Sequence, residues 1–555
     1  MTNAQIADNF SLLAKLMDIH GENSFKSKSY AASAFAIEKL NTPLEDFPTE
    51  KIAGIKGIGS SGAQKISEML ETKELKILRE LLQATPAGIL EMLNIKGIGP
   101  KKINTIWKEM ALESVGELLY ACEENRLKIY KGFGEKTQNN IADAIRFYQK
   151  TKGSYTWAQV DGVKELIVHF MEAALPGFRL HLTGSYYRQL EIMHELEFVT
   201  EAGKDEIKNI LLKQPSLVLE NESENSLTYK NSTGLNIKIN AAPAAQFFSV
   251  LVQTSSAPEF YNALPVCTNV PASEKDFFAQ RNLAFIPAML REKPGIINQA
   301  ENGEISGWIM PSEIKGLIHC HSNWSDGSNS IEEMAEACIE KGLEYMVLSD
   351  HSKSAFYAQG LYEEKIRAQH EHIDELNAKL APFKIFRSIE SDILNDGSLD
   401  YSEDVLASFD CVIASVHSNL KMTEEKAMSR LLRAIENPFT TILGHMTGRL
   451  LLGRPAYPVD HYKIIDACAA NHVVIELNAN PNRLDMDWRY IDYALEKGVL
   501  ISIDPDAHYI TGIDDTQFGI MVAQKAFVKK QHNLSSYSLP EFEAYLQKIK
   551  TLKNI

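Results

Sequence analysis

At 555 residues, 45% of them apolar and 23% charged, the chain has the material of an ordinary globular protein with three or four domains. Six scattered cysteines without a C-x-x-C pair argue against a disulfide framework or a zinc ribbon and fit a reducing, cytoplasmic setting. MTNAQIADNF lacks the pattern of a signal peptide and no apolar run nears the roughly 18 residues of a membrane helix, so secreted and membrane-spanning readings fall away.

The net charge of −16 is unevenly divided. Residues 1–150 hold 20 Lys and Arg against 19 Asp and Glu, so the excess acid lies behind them. A near-neutral front can approach phosphates, and an acidic back can concentrate cations.

In chain order, the first 150 residues carry helical periodicity, as in Ile6–Leu16 and Ala63–Leu70, broken by short Gly-containing turns. One phrase occurs three times: Ile55-Lys-Gly-Ile-Gly59, Ile95-Lys-Gly-Ile-Gly-Pro100 and Tyr130-Lys-Gly-Phe-Gly134. Helix-prone segments follow each, at Ala63–Ile66, Ile103–Trp107 and Ile141–Ile145. Their unequal spacing marks a reused motif and not a solenoid. From about Tyr155 to Pro294 the pattern is mixed α/β, with strands expected at Arg179–Leu182, Glu195–Thr200, Ser216–Leu219 and Leu235–Asn240. Gln299–Ser312, polar and weakly periodic, reads as a linker.

Beyond it, strands are expected at Gly316–His319, Tyr345–Leu348, Lys384–Ser388, Cys411–Val416, Thr440–Leu443, Val473–Leu477 and Val499–Ile503. Helical segments alternate with them. The first is signalled by a capping box, Ser330 with Glu333, and a stop at Gly342. Seven strand-then-helix units imply a parallel sheet, most simply closed into a barrel.

Coordinating residues sit at these strand ends: His319-Cys-His321 and then Asp326, Asp350-His351, Glu390-Ser-Asp392, His417, His445, Glu476 with Asn478, and Asp506-Ala-His508. In a parallel barrel all carboxyl ends open on one face, so groups distant in sequence converge on one bowl. Imidazoles mixed with carboxylates suit divalent Zn, Mn or Fe, and a carboxylate such as Glu390 can bridge two ions for phosphoryl chemistry. His370 and His372 diverge around a helix and are expected to be solvated; His461, His472 and His532 lie away from strand ends.

The run HCHSNWSDG, followed in order by SDHS, SIESD, SVHS, LGHMTGRLLLGR, IELNANPNRLDM and DPDAH, resembles a PHP (polymerase and histidinol phosphatase) domain over residues 315–555. The resemblance implies a distorted (β/α)7 barrel binding three divalent ions, Mn²⁺ or Zn²⁺, through nine ligands. One ion would take His319, His321, Glu390 and Asp506; a second would share Glu390 and add His417 and His445; the third would take Asp326, His351 and His508. Glu390, His417 and Asp506 are the expected catalytic residues, and Arg449, Arg454 and Arg483 candidate phosphate clamps.

The three repeated turns resemble helix-hairpin-helix motifs, in which Gly57 and Gly59, Gly97 and Gly99, and Gly132 and Gly134 would let the backbone approach DNA phosphates without sequence preference. With FKSKSYAASAF, YKGFGEKTQNNIADAI and LAFIPAMLRE, almost the whole chain resembles a bacterial family X DNA polymerase with an appended PHP domain. The implied architecture is a helical lyase-like domain over residues 1–80 and a fingers-like domain over 81–150. An α/β nucleotidyltransferase-like palm and thumb over 151–298, a linker over 299–314 and the barrel then follow. Lys65 aligns with the lyase nucleophile of that family, but is expected to be a solvated helix lysine.

The palm departs from its family. Gly184-Ser185 is followed by Tyr187-Arg188, so one arginine is missing; the Asp-x-Asp pair reads Glu195-Leu-Glu197; and the third acid falls at Lys238. A Mg²⁺ site demands near-ideal octahedral geometry, which the longer Glu side chains fit poorly and a lysine opposes outright. The expectation is therefore a metal-dependent 3′→5′ exonuclease acting on DNA in repair, with polymerase activity lost or very weak. A working gap-filling polymerase, a small-molecule phosphatase of the histidinol phosphate type and a non-catalytic DNA-binding scaffold are its rivals.

Overall fold

A computed structural model describes every residue except 41, 124, 125 and 304; the last lies inside the expected linker, outside the described residues. The chain divides into two compact units, Met1–Lys152 and Gly153–Ile555. Among the described residues no helix is long and apolar enough to cross a membrane.

The first unit is helical. Helix α1 (Asn3–His20) starts with a capping box between Thr2 and Gln5 and stops at Gly21, whose φ of 72° is left-handed. It packs against α2 (Ser24–Glu38). One buried apolar cluster runs from Ile6 through Ile66 and Ile103 to Ile145, across both expected halves of this region. The three repeated turns launch helices α3 (Ser60–Thr72), α4 (Pro100–Lys108) and α5 (Glu135–Thr151). In each turn the first glycine has a φ of 89° to 95°, open to glycine at little cost, and the second caps the helix.

The second unit begins with a five-stranded sheet of β1 (Leu180–Thr183), β2 (Glu195–Thr200), β3 (Leu217–Glu222), β4 (Ser226–Asn231) and β5 (Asn236–Ala241), in the order β1-β2-β5-β4-β3. Strands β2 and β5 are parallel neighbours and the other pairs antiparallel. Strand β4 was not among the expected strands, although buried Leu227 and Tyr229 alternate with polar neighbours.

Seven parallel strands follow: β6 (Gly316–Cys320), β7 (Tyr345–Leu348), β8 (Lys384–Asp392), β9 (Cys411–Ser415), β10 (Ile442–Leu443), β11 (Val474–Asn478) and β12 (Ile501–Asp504). They are ordered sequentially, and a bridge between Cys320 and Ala507 joins the first strand to the segment after the last. One apolar cluster unites Ile318, Val347, Phe386, Ile413, Ile442 and Val474 with Phe542 and Leu546 of the C-terminal helix, filling the barrel away from its mouth. Another lies between the strands and their covering helices and holds Ile389, Val412, Leu443, Ile475 and Ile503.

Two expectations need correction. The segment 299–314 is no free linker, because Ile309 is fully buried in the barrel's outer core and its N–H donates to the Val528 carbonyl at 2.8 Å. His370 is not solvated; it is buried edge-on against Phe409 at 5.1 Å between ring centres.

The sheet and the barrel are joined through charges. Buried Glu191 accepts from the Trp488 indole at 3.1 Å and from Arg489 at 2.6 Å. The buried Lys525 ammonium donates to the Arg188 carbonyl at 2.8 Å and pairs with Glu292 at 2.8 Å.

Candidate metal centre

A β-bulge at His319 shapes the mouth. The register of β6 against β7 shifts between Ile318 and Cys320, and His319 has a φ of 59°. The bulge turns His319 into the bowl directly after inward-packed Ile318, and His321 joins it there. Left-handed backbone recurs at His445 (21°) and Asp506 (54°). Such non-glycine conformations cost about 1–3 kcal/mol each and gather at sites where function imposes them.

Glu390, buried at the inner end of β8, is the hub. Its Oε1 lies 3.0 Å from His445 Nε2, 3.1 Å from His417 Nε2 and 3.3 Å from His319 Nε2, while Oε2 lies 2.9 Å from His351 Nδ1. Asp506 Oδ1 lies 3.1 Å from His321 Nε2 and 3.6 Å from His319 Nε2. On the outer side Asp326 approaches His351 Nε2 at 3.6 Å and His508 Nε2 at 3.4 Å. Three groups of ligand atoms lie within 4.8 Å of one another: His321, Asp326, His351 and His508; His319, His321 and Asp506; and His351, Glu390 and His417. His321 thus reaches two of these groups, and His351 faces both Asp326 and Glu390.

The donors fit divalent ions. Bonds of about 2.1 Å to a shared ion put neighbouring ligand atoms about 3.0 Å apart in an octahedron and about 3.4 Å apart in a tetrahedron. The spacings around Glu390 Oε1 fall in that range. His319 Nε2 and Glu390 Oε2 are moreover buried without a hydrogen-bond partner, an arrangement that costs free energy unless the atoms coordinate something.

A second layer orients the rings. Glu476 takes His319 Nδ1 and Asp392 takes His417 Nδ1, each fixing which nitrogen faces the bowl. Both acids stand at strand ends and share the inward face of a neighbouring candidate, Asp392 two residues after Glu390. That i, i+2 alternation was the available signal for their supporting role. The electrostatics follow from burial and neighbours. Burial drives His321 down to about 3, helped by His508 and His351, so its ring is neutral. Burial also opposes charge on His417, but Glu390 and Asp392 outweigh it and carry the ring up to about 10. For Glu390, burial is outweighed by His417, His319 and His351, which hold its carboxyl well below the usual range.

The three arginines separate. Arg449 donates to the Arg483 carbonyl at 2.9 Å and pairs with Asp487 at 3.0 Å, and Arg454 donates twice to the Gly448 carbonyl at 2.9 and 2.7 Å. Arg483 alone of the three pairs with a residue of the bowl, its Nε 3.7 Å from Asp506.

In the sheet domain, β2 and β5 bring Glu197 and Lys238 face to face. The Lys238 ammonium lies 3.1 Å from Glu195 and 3.0 Å from Glu197. Burial pulls this lysine down, and the two carboxylates more than reverse it. Gly184, with a φ of 67°, leaves room for Glu197: a Cβ there would sit 2.0 Å from its Oε1. Ser185 lies on the same short helix, Gly184–Tyr187. Arg188, the remaining arginine, pairs with Glu292 at 3.2 Å. In the helical unit, Cβ atoms at Gly59, Gly97, Gly99, Gly132 and Gly134 would meet nothing within 4 Å, whereas one at Gly57 would meet Ala36 at 2.9 Å. Lys65 is half-buried on α3.

Comparison with known proteins agrees with this layout. Residues 1–75 match the family described as helix-hairpin-helix domain, residues 89–146 a SAM-like helix-hairpin-helix tandem, and residues 318–480 the PHP domain. The chain is 30% identical over 572 residues to the DNA polymerase/3′-5′ exonuclease PolX of Bacillus subtilis (strain 168), covering 97% of this chain and 98% of that one. It is 26% identical to a probable phosphatase of Thermoanaerobacter sp. (strain X514), over 42% of this chain and 94% of the phosphatase. A probable phosphatase of Clostridium acetobutylicum is 29% identical over 25% of this chain and 57% of its own.

Proposed function

This chain belongs to the family X DNA polymerases that carry a C-terminal PHP domain, and on that premise we propose that it is a metal-dependent 3′→5′ DNA exonuclease acting in repair, whose palm no longer polymerises. The observation that carries the reading is that His319, His417 and His445 each turn a ring nitrogen to one buried oxygen of Glu390, at 3.3, 3.1 and 3.0 Å. Nine residues would hold the ions, three in number: His319, His321, Asp326, His351, Glu390, His417, His445, Asp506 and His508. When bound, divalent cations such as Mn²⁺ or Zn²⁺ supply Lewis acidity toward the phosphodiester and counter the charge that builds on its oxygens.

The chain's own residues do the rest. Glu476 and Asp392 hold the His319 and His417 rings in one tautomer. Arg483 leans over the bowl beside Asp506 and is the arginine available to a phosphate oxygen. The helix-hairpin-helix turns bind DNA by its backbone, the open surface at Gly59, Gly97, Gly99, Gly132 and Gly134 admitting close approach without reading sequence.

Loss of polymerisation rests on Lys238. A divalent ion about 4 Å from its ammonium is opposed by about 8 kcal/mol at an effective dielectric near 20. Arg188, already paired with Glu292, adds no free charge for a triphosphate. A small-molecule phosphatase is the second reading, but the probable phosphatases match only 42% or less of this chain, and such an enzyme would have no use for the helix-hairpin-helix front. Incubating the protein with labelled single-stranded and gapped DNA in Mn²⁺, with and without dNTPs, tests the proposal. Shortening without extension is expected. Primer extension would contradict a silent palm, and intact DNA would contradict the nuclease.

A further inference from the structure

Next to the bowl, a short turn exposes two aromatic side chains. Phe356 is 83% and Tyr357 60% exposed, their rings 6.0 Å apart and roughly perpendicular. Exposed aromatics elsewhere, such as Phe25 and Phe35, stand on helix faces and need no special account. This pair differs in two respects.

It is rigidly held. The Ser354 N–H and hydroxyl both donate to Asp400, each at 2.6 Å, and the Lys353 N–H donates to the Tyr401 hydroxyl at 3.1 Å. Ala355 and Ala358, on either side of the pair, are fully buried. Gly360 closes the turn so tightly that a Cβ there would lie 1.9 Å from the Ser352 carbonyl oxygen. The sequence thus fixes the backbone and buries the small residues while leaving the two large rings in water.

The pair also adjoins the chemistry. The Tyr357 ring centre lies 6.4 Å from that of His351, and its phenol is within electrostatic reach of Asp392, Glu390, Asp326 and Arg483. A phosphodiester engaged in the bowl carries a nucleoside on each side, and this turn offers an exposed aromatic surface beside His351. Every nucleobase has a π-face, so an aromatic shelf grips a single-stranded end without regard to sequence.

We propose that Phe356, supported by Tyr357, forms a stacking platform for a nucleobase flanking the scissile phosphodiester. The inference rests on the exonuclease reading. It makes the enzyme selective for nucleic-acid ends over other phosphate esters, since the ions and Arg483 recognise only phosphate.

The test uses single-stranded oligonucleotides in Mn²⁺ that are identical except for a tetrahydrofuran abasic residue at the 3′-terminal or the penultimate position. Base–aromatic stacking corresponds to about a 5- to 150-fold change in KM. The wild-type protein is expected to show a rise in KM of that order for one of the two abasic strands. Phe356→Ala is expected to raise KM for the intact strand to the abasic level without raising it for that abasic strand, and Phe356→Trp to restore the preference. Equal KM for all three strands with wild-type protein, or a parallel rise on all three in Phe356→Ala, overturns the platform while leaving the nuclease standing. Failure of wild-type protein to shorten any strand overturns both.

Discussion

At the scale of single residues, the site is governed by what each imidazole and carboxylate faces. His319 and His417 each have one nitrogen held by an acid behind them and the other turned toward Glu390. Such partners are worth about 10- to 100-fold in metal affinity or activity, so Asp392→Asn should lower exonuclease activity by that factor without unfolding the barrel, a result that kinetics and circular dichroism together would establish. His370 shows the opposite kind of burial. Its apolar surroundings, with Arg387 nearby, depress the ring to about 4 in the folded protein, whereas the unfolded chain takes up the proton near 6.5. The contribution is intact above pH 6.5 and is lost as pH falls from 6.5 toward 4, because in that window the unfolded state binds the extra proton. Denaturant midpoints measured across this range should decline, and His370→Gln should flatten the decline. Residue spacing alone pointed to solvation for His370, since a helix surrounded by strands gives no local sign of which polar positions tertiary packing will cover.

At the scale of elements, strand ends and loops do the positioning. The segment Asn480–Tyr490 links several parts of the barrel: Arg483 pairs with Asp506, Asp485 accepts from Thr447 at 2.9 Å, and Asp487 pairs with both Arg449 and Arg489. Through Arg489 and Trp488 it ends on buried Glu191 of the sheet domain, so that domain braces the loop that carries Arg483. Glu191→Ala strips the buried Trp488 indole of its acceptor and should cost about 1–3 kcal/mol, read as a lower melting temperature of the Gly153–Ile555 unit. The strands themselves were legible, because their β-rich runs alternate with helical ones and end in metal-binding residue types. Their outer limits were less so: β8 runs four residues further than its apolar pattern, through Glu390 to Asp392, since charged side chains facing a metal bowl break the apolar signal. The bulge at His319 left no mark in composition. Simple alternation would set His319 and His321 on the face of Leu317, yet Leu317 packs outward against Met334 and it is Ile318 that points in.

At the scale of the whole molecule, one chain combines a helix-hairpin-helix front, a sheet domain in which Lys238 is paired with two glutamates and a barrel whose charges converge. The global net charge of −16 obscured this arrangement, and only its division along the sequence hinted at separate tasks. The same kinds of residue meet different partners in the sheet domain and in the barrel. Glu195 and Glu197 close on a lysine, whereas Glu390 is ringed by imidazoles. The most direct test of that contrast is the rate at which a 5′-labelled strand is shortened in Mn²⁺ by wild-type protein, His417→Ala and Glu195→Ala side by side. Loss of shortening in His417→Ala with full activity in Glu195→Ala is the predicted result; full activity in His417→Ala with loss in Glu195→Ala would contradict it.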